Sequence, residues 1–234
     1  MTVSIIIPAY NEAKRLPTTL TAISFWLPTA ADFNLKEIIV VDDGSTDQTA
    51  EAASNFVSRL PIKVIKLPAN CGKGCAVRKG ILAATGDLIL MYDADGATSL
   101  ADLQKLVTEA KTNQVVIGSR LAGDNQIVQM SVFRRLVGLV FHWLCAPLLP
   151  RIKDASCGAK VFQREAAQEI FMAQKLDRFA FDSEILWLAR RLGYSVKEVP
   201  VNWQAVPGSK VKVWRDAPEM FWSVLRLYGR QLLS

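Results

Sequence analysis

The chain has 234 residues, 50% hydrophobic and 21% charged, a balance that suits one globular domain burying roughly 70% of its unfolded surface and excludes a disordered or low-complexity chain. Its 28 Lys and Arg against 22 Asp and Glu leave +6, and the excess is one-sided: residues 1–100 carry nine basic and ten acidic groups, residues 101–234 nineteen and twelve. The second part is suited to meet an anion. With no dense basic run and no recognition motif, nucleic acid is set aside in favour of a membrane surface or a phosphorylated substrate.

In chain order, VSIIIPA reads as a buried strand, residues 12–27 as a helix, EIIVVDD as a second strand, and TDQTAEAASNFVSRL as a helix capped by Ser45 or Thr46. IKVIKL, a helix over 74–84, DLILMYD, a helix over 100–111 and the strand QVVIGS continue the alternation and close it. Nearly continuous apolar strands separated by helices predict an α/β fold, a mostly parallel sheet covered on both faces. Beyond residue 120 the pattern changes: an amphipathic, aromatic-rich helix over 132–149, a loop KDASCGAKVF feeding a strand, helices over 164–173 and 182–192, a strand YSVKEVPVNW, a loop PGSKVKV, and a terminal helix from Asp216 to Leu233. No linker separates this part from the first. The N-terminus lacks a basic region and is interrupted by Pro8, so no signal peptide is expected. LVGLVFHWLCAPLL contains His142 and Pro147 and falls short of the ~20 apolar residues of a spanning helix. Cys71, Cys75, Cys145 and Cys157 match no zinc spacing and are expected to be buried thiols in a cytoplasmic chain.

In parallel sheets ligands bind beyond the carboxyl ends of the strands. Four strands here end in PAYNE (8–12), DDGS (42–45), NCGKG (70–74) and Asp93-Ala94-Asp95. Two carboxylates one residue apart can share a hard cation such as Mg2+ or Mn2+, which takes oxygen ligands and keeps room for water and phosphate; a solvated strand end would read the same way. Asp43 is placed to accept hydrogen bonds from a ribose or base, with Asp42 or Ser45 serving the turn and cap. NCGKGCAVRKG offers glycines, a helix start, Lys73 and Arg78 to an anion, without the spacing of a Walker A loop. Arg120, Arg134, Arg135 and Lys210 are candidates for a second phosphate, although a solvated helix face serves Arg134 and Arg135 equally well. The aromatic helices beside these charges suit a bilayer interface or ordinary core packing.

PAYNE, DDGS, NxGKGxAVRxG, DADG, GSR, DxxCGxKxF, FDxEIL and EVPVxW followed by GSKV occur in an order that resembles family 2 glycosyltransferases of the GT-A (Rossmann-like) fold. Within that family the pattern is most similar to dolichyl-phosphate β-glucosyltransferases and next to polyprenyl-phosphate mannose synthases. The resemblance implies a single domain over 1–234, with a nucleotide-sugar-binding half (1–120) and an acceptor-binding half with amphipathic helices (121–234). It implies Pro8, Ala9, Tyr10 and Glu12 around the base, Asp43 at the base or ribose, Lys73 and Asp93-Ala94 at the donor, and Asp93 and Asp95 on the metal. It also implies Arg120, Arg134, Ser209 and Lys210 on the acceptor phosphate and Asp154 beside the acceptor, with Asp95, Asp154 and Arg120 forming the catalytic set.

The expected activity is inverting transfer of a sugar, glucose from UDP-glucose in the favoured reading, to dolichyl or polyprenyl phosphate with Mg2+ or Mn2+, at the cytoplasmic face of a membrane held peripherally. GDP-mannose as donor, a non-lipid acceptor, and a non-catalytic nucleotide-sugar-binding protein are the alternatives. His142 is expected to pack rather than react.

Overall fold

In a computed structural model, residues 1–31, 33–122, 127–128, 143–204, 206 and 213–232 are described. The strands are β1 (Thr2–Ala9), β2 (Asn34–Asp42), β3 (Ile62–Lys66), β4 (Leu88–Met91), β5 (Val115–Ser119), β6 (Ile127–Val128), β7 (Lys160–Gln163), β8 (Val196–Pro200) and β9 (Trp203–Gln204). The helices are α1 (Leu16–Trp26), α2 (Thr49–Ser54), α3 (Lys73–Ala83), α4 (Leu100–Glu109), α5 (Arg164–Ala173), α6 (Phe181–Arg191) and α7 (Val213–Leu232).

Seven strands form one sheet in the order β3-β2-β1-β4-β7-β5-β8, and β6 pairs with β9 separately. All neighbours in the large sheet are parallel except β7, which runs antiparallel to both β4 and β5. The unbroken apolar strands have a simple cause. Successive side chains alternate faces, and helices cover both. Ile5, Ile7, Ile38, Val40, Leu88 and Leu90 pack against α1 and α4 through Leu16, Leu20, Ile23, Leu103 and Leu106. Ile6, Ile39, Val41, Ile89 and Met91 face the other way, onto α3, α5, α6 and α7 through Ala76, Val77, Ile170, Phe171, Ile185, Val224 and Leu227.

The antiparallel strand decides where the site lies. Lys160 opens β7 and pairs with Met91, the last residue of β4, and with Ile117 of β5. The loop before β7, residues 154–159, therefore reaches the edge at which β1, β2, β4 and β5 end. No periodicity in the sequence announces that strand's direction.

Several local expectations are corrected. The first helix begins at Leu16 rather than residue 12, because Asn11 takes a positive φ of 54° and Glu12 starts a turn in which its carbonyl accepts Arg15 and Leu16 N–H at 3.0 and 2.9 Å. α2 is only six residues long, and neither Ser45 nor Thr46 caps it. Ser45 Oγ instead accepts Asn11 N–H (2.9 Å) and Asn11 Oδ1 accepts Thr46 N–H (2.9 Å), so these polar groups tie the ends of β1 and β2 together. Cys71 and Cys75 are not thiols: they form a disulfide, their Cα atoms 5.9 Å apart across the start of α3. Cys145 and Cys157 are free and buried. Of the helix expected over 132–149, residues 132–142 lie outside the described residues, and 143–145 are helical. The loop PGSKVKV also lies outside them, apart from its final Val213, which opens α7. No helix among the described residues is long and apolar enough to cross a membrane.

Candidate active site

The end of β2 is built around Asp43. It is 3% exposed and receives Cys71 N–H (2.8 Å), Gly72 N–H (2.9 Å) and the Asn70 amide (2.8 Å). Burial pushes its carboxyl above the ordinary range, and the two N–H donors only partly offset this. Gly44 is required beside it: its φ is +66°, and a Cβ there would lie 2.4 Å from the Ala69 carbonyl carbon. Asp42 is fully buried and accepts Ser45 N–H at 2.9 Å, the turn role foreseen for it.

Lys73, the first residue of α3, places Nζ 2.7 Å from Asp93 Oδ1 at the end of β4. Burial opposes the ammonium, but Asp93 and Asp182 outweigh it and hold the lysine charged. For Asp93 burial likewise opposes the charge, and Lys73, Lys160 and Arg120 outweigh it, keeping the carboxyl below its usual range. Arg78 turns away from this cluster, bonding the Gln174 carbonyl (2.9 Å) and Asp177 (2.9 Å).

The two acids of the DxD turn differ. Asp93 is held on one side by Lys73 and on the other by Gly158, where an added Cβ would fall 1.9 Å from Asp93 Oδ2. Asp95 accepts Ala97 N–H (3.1 Å) and stands 3.9 Å from Arg15 Nη1. Burial and the neighbouring Asp93 push its carboxyl up. An undercompensated carboxylate of this kind is what a hard cation relieves, so Asp95 fits a divalent metal; Asp93 fits one to the extent that Lys73 yields its oxygen. No cluster of three or more His, Cys, Asp or Glu suited to a metal occurs among the described residues, so phosphate oxygens and water would complete the shell. Thr19 Oγ1 donates to the Ala94 carbonyl (2.8 Å) and Tyr92 hydroxyl to the Thr98 carbonyl (2.8 Å), fixing the turn from α1 and from within.

Arg120, just past β5, forms a two-point pair with Asp154: Nε to Oδ2 and Nη2 to Oδ1, each 2.7 Å, while Arg120 N–H also reaches Oδ2 (2.9 Å). Glu198 orders the loop by accepting Asp154 N–H (2.9 Å). Burial opposes Asp154's charge, but Arg120 outweighs it and holds the carboxyl low. With both oxygens engaged, Asp154 is a poor proton acceptor.

Pro8, Ala9 and Tyr10 line the end of β1, where Asp43 N–H meets the Ala9 carbonyl (2.8 Å). Glu12 is 6% exposed and engaged by Arg15, whose Nε lies 2.6 Å from Oε2. Arg15 thus spans PAYNE and DADG. Arg134, Ser209 and Lys210 lie outside the described residues, as do Arg135 and His142.

Sequence reasoning passed over Thr19, Arg15, Gly158, Lys160 and Asp182. Lys160 is fully buried and ion-paired with Asp182, and it also donates to the Cys157 carbonyl. Its signal was the lysine of DxxCGxKxF, read only as part of a resemblance.

A sheet with this order, carrying its acidic, glycine-bearing loops at the carboxyl edge, has the GT-A fold of its solved structural neighbours. The family model described as "Glycosyl transferase family 2" matches residues 4–171. The chain belongs to that family and is a glycosyltransferase. It is 38% identical to the dolichyl-phosphate beta-glucosyltransferase of Dictyostelium discoideum, covering 99% of this chain and 75% of the relative. It is 39% identical to the enzyme of that name from Homo sapiens, covering 98% and 73%. Glucosyl-3-phosphoglycerate synthase from Mycobacterium tuberculosis, solved with Mn2+, UDP-glucose and phosphoglyceric acid, shares the fold at a TM-score of 0.71 and 19% identity over 96% of this chain and 78% of that one.

Proposed function

We propose that this chain transfers glucose from UDP-glucose to a dolichyl or polyprenyl phosphate, with inversion at the anomeric carbon. The observation that carries the reading is similarity over 98–99% of this chain, at 38–39% identity, to dolichyl-phosphate beta-glucosyltransferases. The site chemistry suits it. Residues 1–120 form the donor half, with Pro8, Ala9, Tyr10 and Asp43 at the nucleoside and Lys73 near the diphosphate. Residues 121–234 would form the acceptor half, with Arg120 and, by the family resemblance, Arg134, Ser209 and Lys210 as the candidates to bind the second phosphate.

A divalent ion held by Asp95, with Asp93 beside it, would neutralise the leaving diphosphate. The rest falls to the protein. An acceptor phosphate monoester, second pKa about 6, is already largely ionised at neutral pH and needs no strong base. Asp154 therefore acts by holding Arg120, whose charge offsets repulsion between two anions brought within reacting distance. The test is incubation with polyprenyl phosphate in vesicles, Mn2+ and radiolabelled UDP-glucose or GDP-mannose, followed by lipid extraction. Label from UDP-glucose is expected in the lipid. Label from GDP-mannose alone would change the sugar, and no labelled lipid from either would sink the reading.

The lipid end of the acceptor implies a peripheral membrane position, and α7 supports one. Val224 and Leu227 are buried while Phe221, Trp222 and Leu225 are exposed beside Arg226, Trp222 at 63%. Tyr228 hydroxyl donates to the Leu144 carbonyl (2.8 Å), tying α7 to the segment that carries Trp143, itself 75% exposed. Exposed aromatics next to basic residues are the pattern of interfacial helices. Trp222→Ser should lower co-sedimentation with anionic vesicles several-fold, by the loss of one interfacial aromatic. Unchanged binding would place the contact elsewhere.

A further inference from the structure

Cys71 and Cys75 bracket Lys73 and occupy places that the motif NxGKGxAVRxG leaves open. Helix α3 starts behind Gly72, which has φ 106° and no side chain to cap the first turn. The disulfide runs from the residue before that cap to the third residue of the helix. It does covalently what a capping side chain would do by hydrogen bonding. In the same stroke it keeps the N–H groups of Cys71 and Gly72 on Asp43, and Lys73 on Asp93.

We propose that Cys71 and Cys75 form a redox-active site whose disulfide form binds the nucleotide-sugar donor more tightly than its dithiol form, an inference that rests on the donor-site reading above. The reacting partner is a low-molecular-weight thiol or its disulfide. A small thiolate attacks the Sγ of Cys71, the partly exposed sulfur; the S–S bond breaks and Cys75 leaves as a thiolate, which takes a proton from water. A second small thiolate attacks the small-molecule sulfur of the mixed disulfide, releasing Cys71 and one small-molecule disulfide. Two electrons pass to the pair, and oxidation reverses the steps. Cys75 sits in the first turn of α3, whose N-terminal dipole end favours a thiolate as leaving group. Cys145 and Cys157 stand apart from this chemistry: both are buried, and burial pushes the Cys157 thiol up to about 11.

Reduction weakens donor binding in two ways. Residue 71 is then held at the helix start by its hydrogen bond to Asp43 alone. The Sγ of Cys71, 3.2 Å from Asp43 Oδ1, also gains a proton to donate, competing for the carboxylate that the donor uses. Asp95 and Arg120 are untouched, so the turnover of bound donor is preserved.

The experiment counts thiols in the denatured protein purified without reductant, then measures UDP affinity with Mn2+ by calorimetry before and after dithiothreitol. Cys145 and Cys157 alone should titrate at first, and all four cysteines after reduction. Reduction should weaken UDP binding roughly two- to thirtyfold, the span of one helix cap. Cys75→Ser should show the weaker value and ignore dithiothreitol. Four thiols before reduction, or one affinity in both redox states, overturns the proposal while the donor site stands. No UDP binding in either state overturns the donor-site reading and this proposal with it.

Discussion

Asp95→Asn is expected to lower glucosyl transfer by about 10²–10³-fold, the scale set by losing one charge-stabilising group aimed at a developing negative charge. The residual rate should no longer respond to Mn2+. The substitution keeps shape and keeps an oxygen for Ala97 N–H, and it removes a carboxylate that burial and Asp93 already disfavour as an anion. The variant should therefore unfold at the same temperature as the parent or slightly higher. Transfer assays across an Mn2+ titration, paired with thermal denaturation, check both halves. An active variant that still requires metal would make the acidic pair structural.

Lys160→Met should produce the largest loss of stability, about 3–5 kcal/mol, because it strands the buried charge of Asp182. For a chain of this size each kcal/mol moves the melting point by about 2–4 °C. Lys160 has no exposed surface and lies between Asp182 and the Cys157 carbonyl, in reach of Asp93 and Asp154. The double variant Lys160→Met with Asp182→Leu should regain much of the loss, since two apolar groups leave no charge unpaired. Denaturant titrations of the two variants and the parent decide it. A single variant within about 1 kcal/mol of the parent would show that the pair is solvated after all.

The sheet was legible because burial on both faces leaves a direct mark: Ile5-Ile6-Ile7 and Ile38-Ile39-Val40-Val41 need no polar alternation when each residue meets a helix. The carboxyl-edge loops were legible because four strands in turn end in acidic or glycine-bearing segments at one edge. Where the reading failed, side chains had bonded across the chain. Ser45 looked like a cap and bonds Asn11, and Arg78 looked like an anion ligand and holds Gln174 and Asp177. Cys71 and Cys75 were read as buried thiols and instead form a disulfide, a pairing that depends on how the chain enters α3 rather than on any local pattern.

By itself the sequence determined the layered α/β architecture, the sheet edge to which the acidic and glycine-bearing loops come, and the residues they carry: two acids, a lysine at a helix start and a later excess of arginine. These follow from local periodicity and from what each strand end carries. Tertiary structure alone decided that β7 enters antiparallel between β4 and β5, bringing Gly158 against Asp93 and Asp154 to Arg120. It also decided which of the two DxD acids is already neutralised. Both outcomes depend on contacts between residues far apart in the chain, whose distances and burial no local pattern encodes.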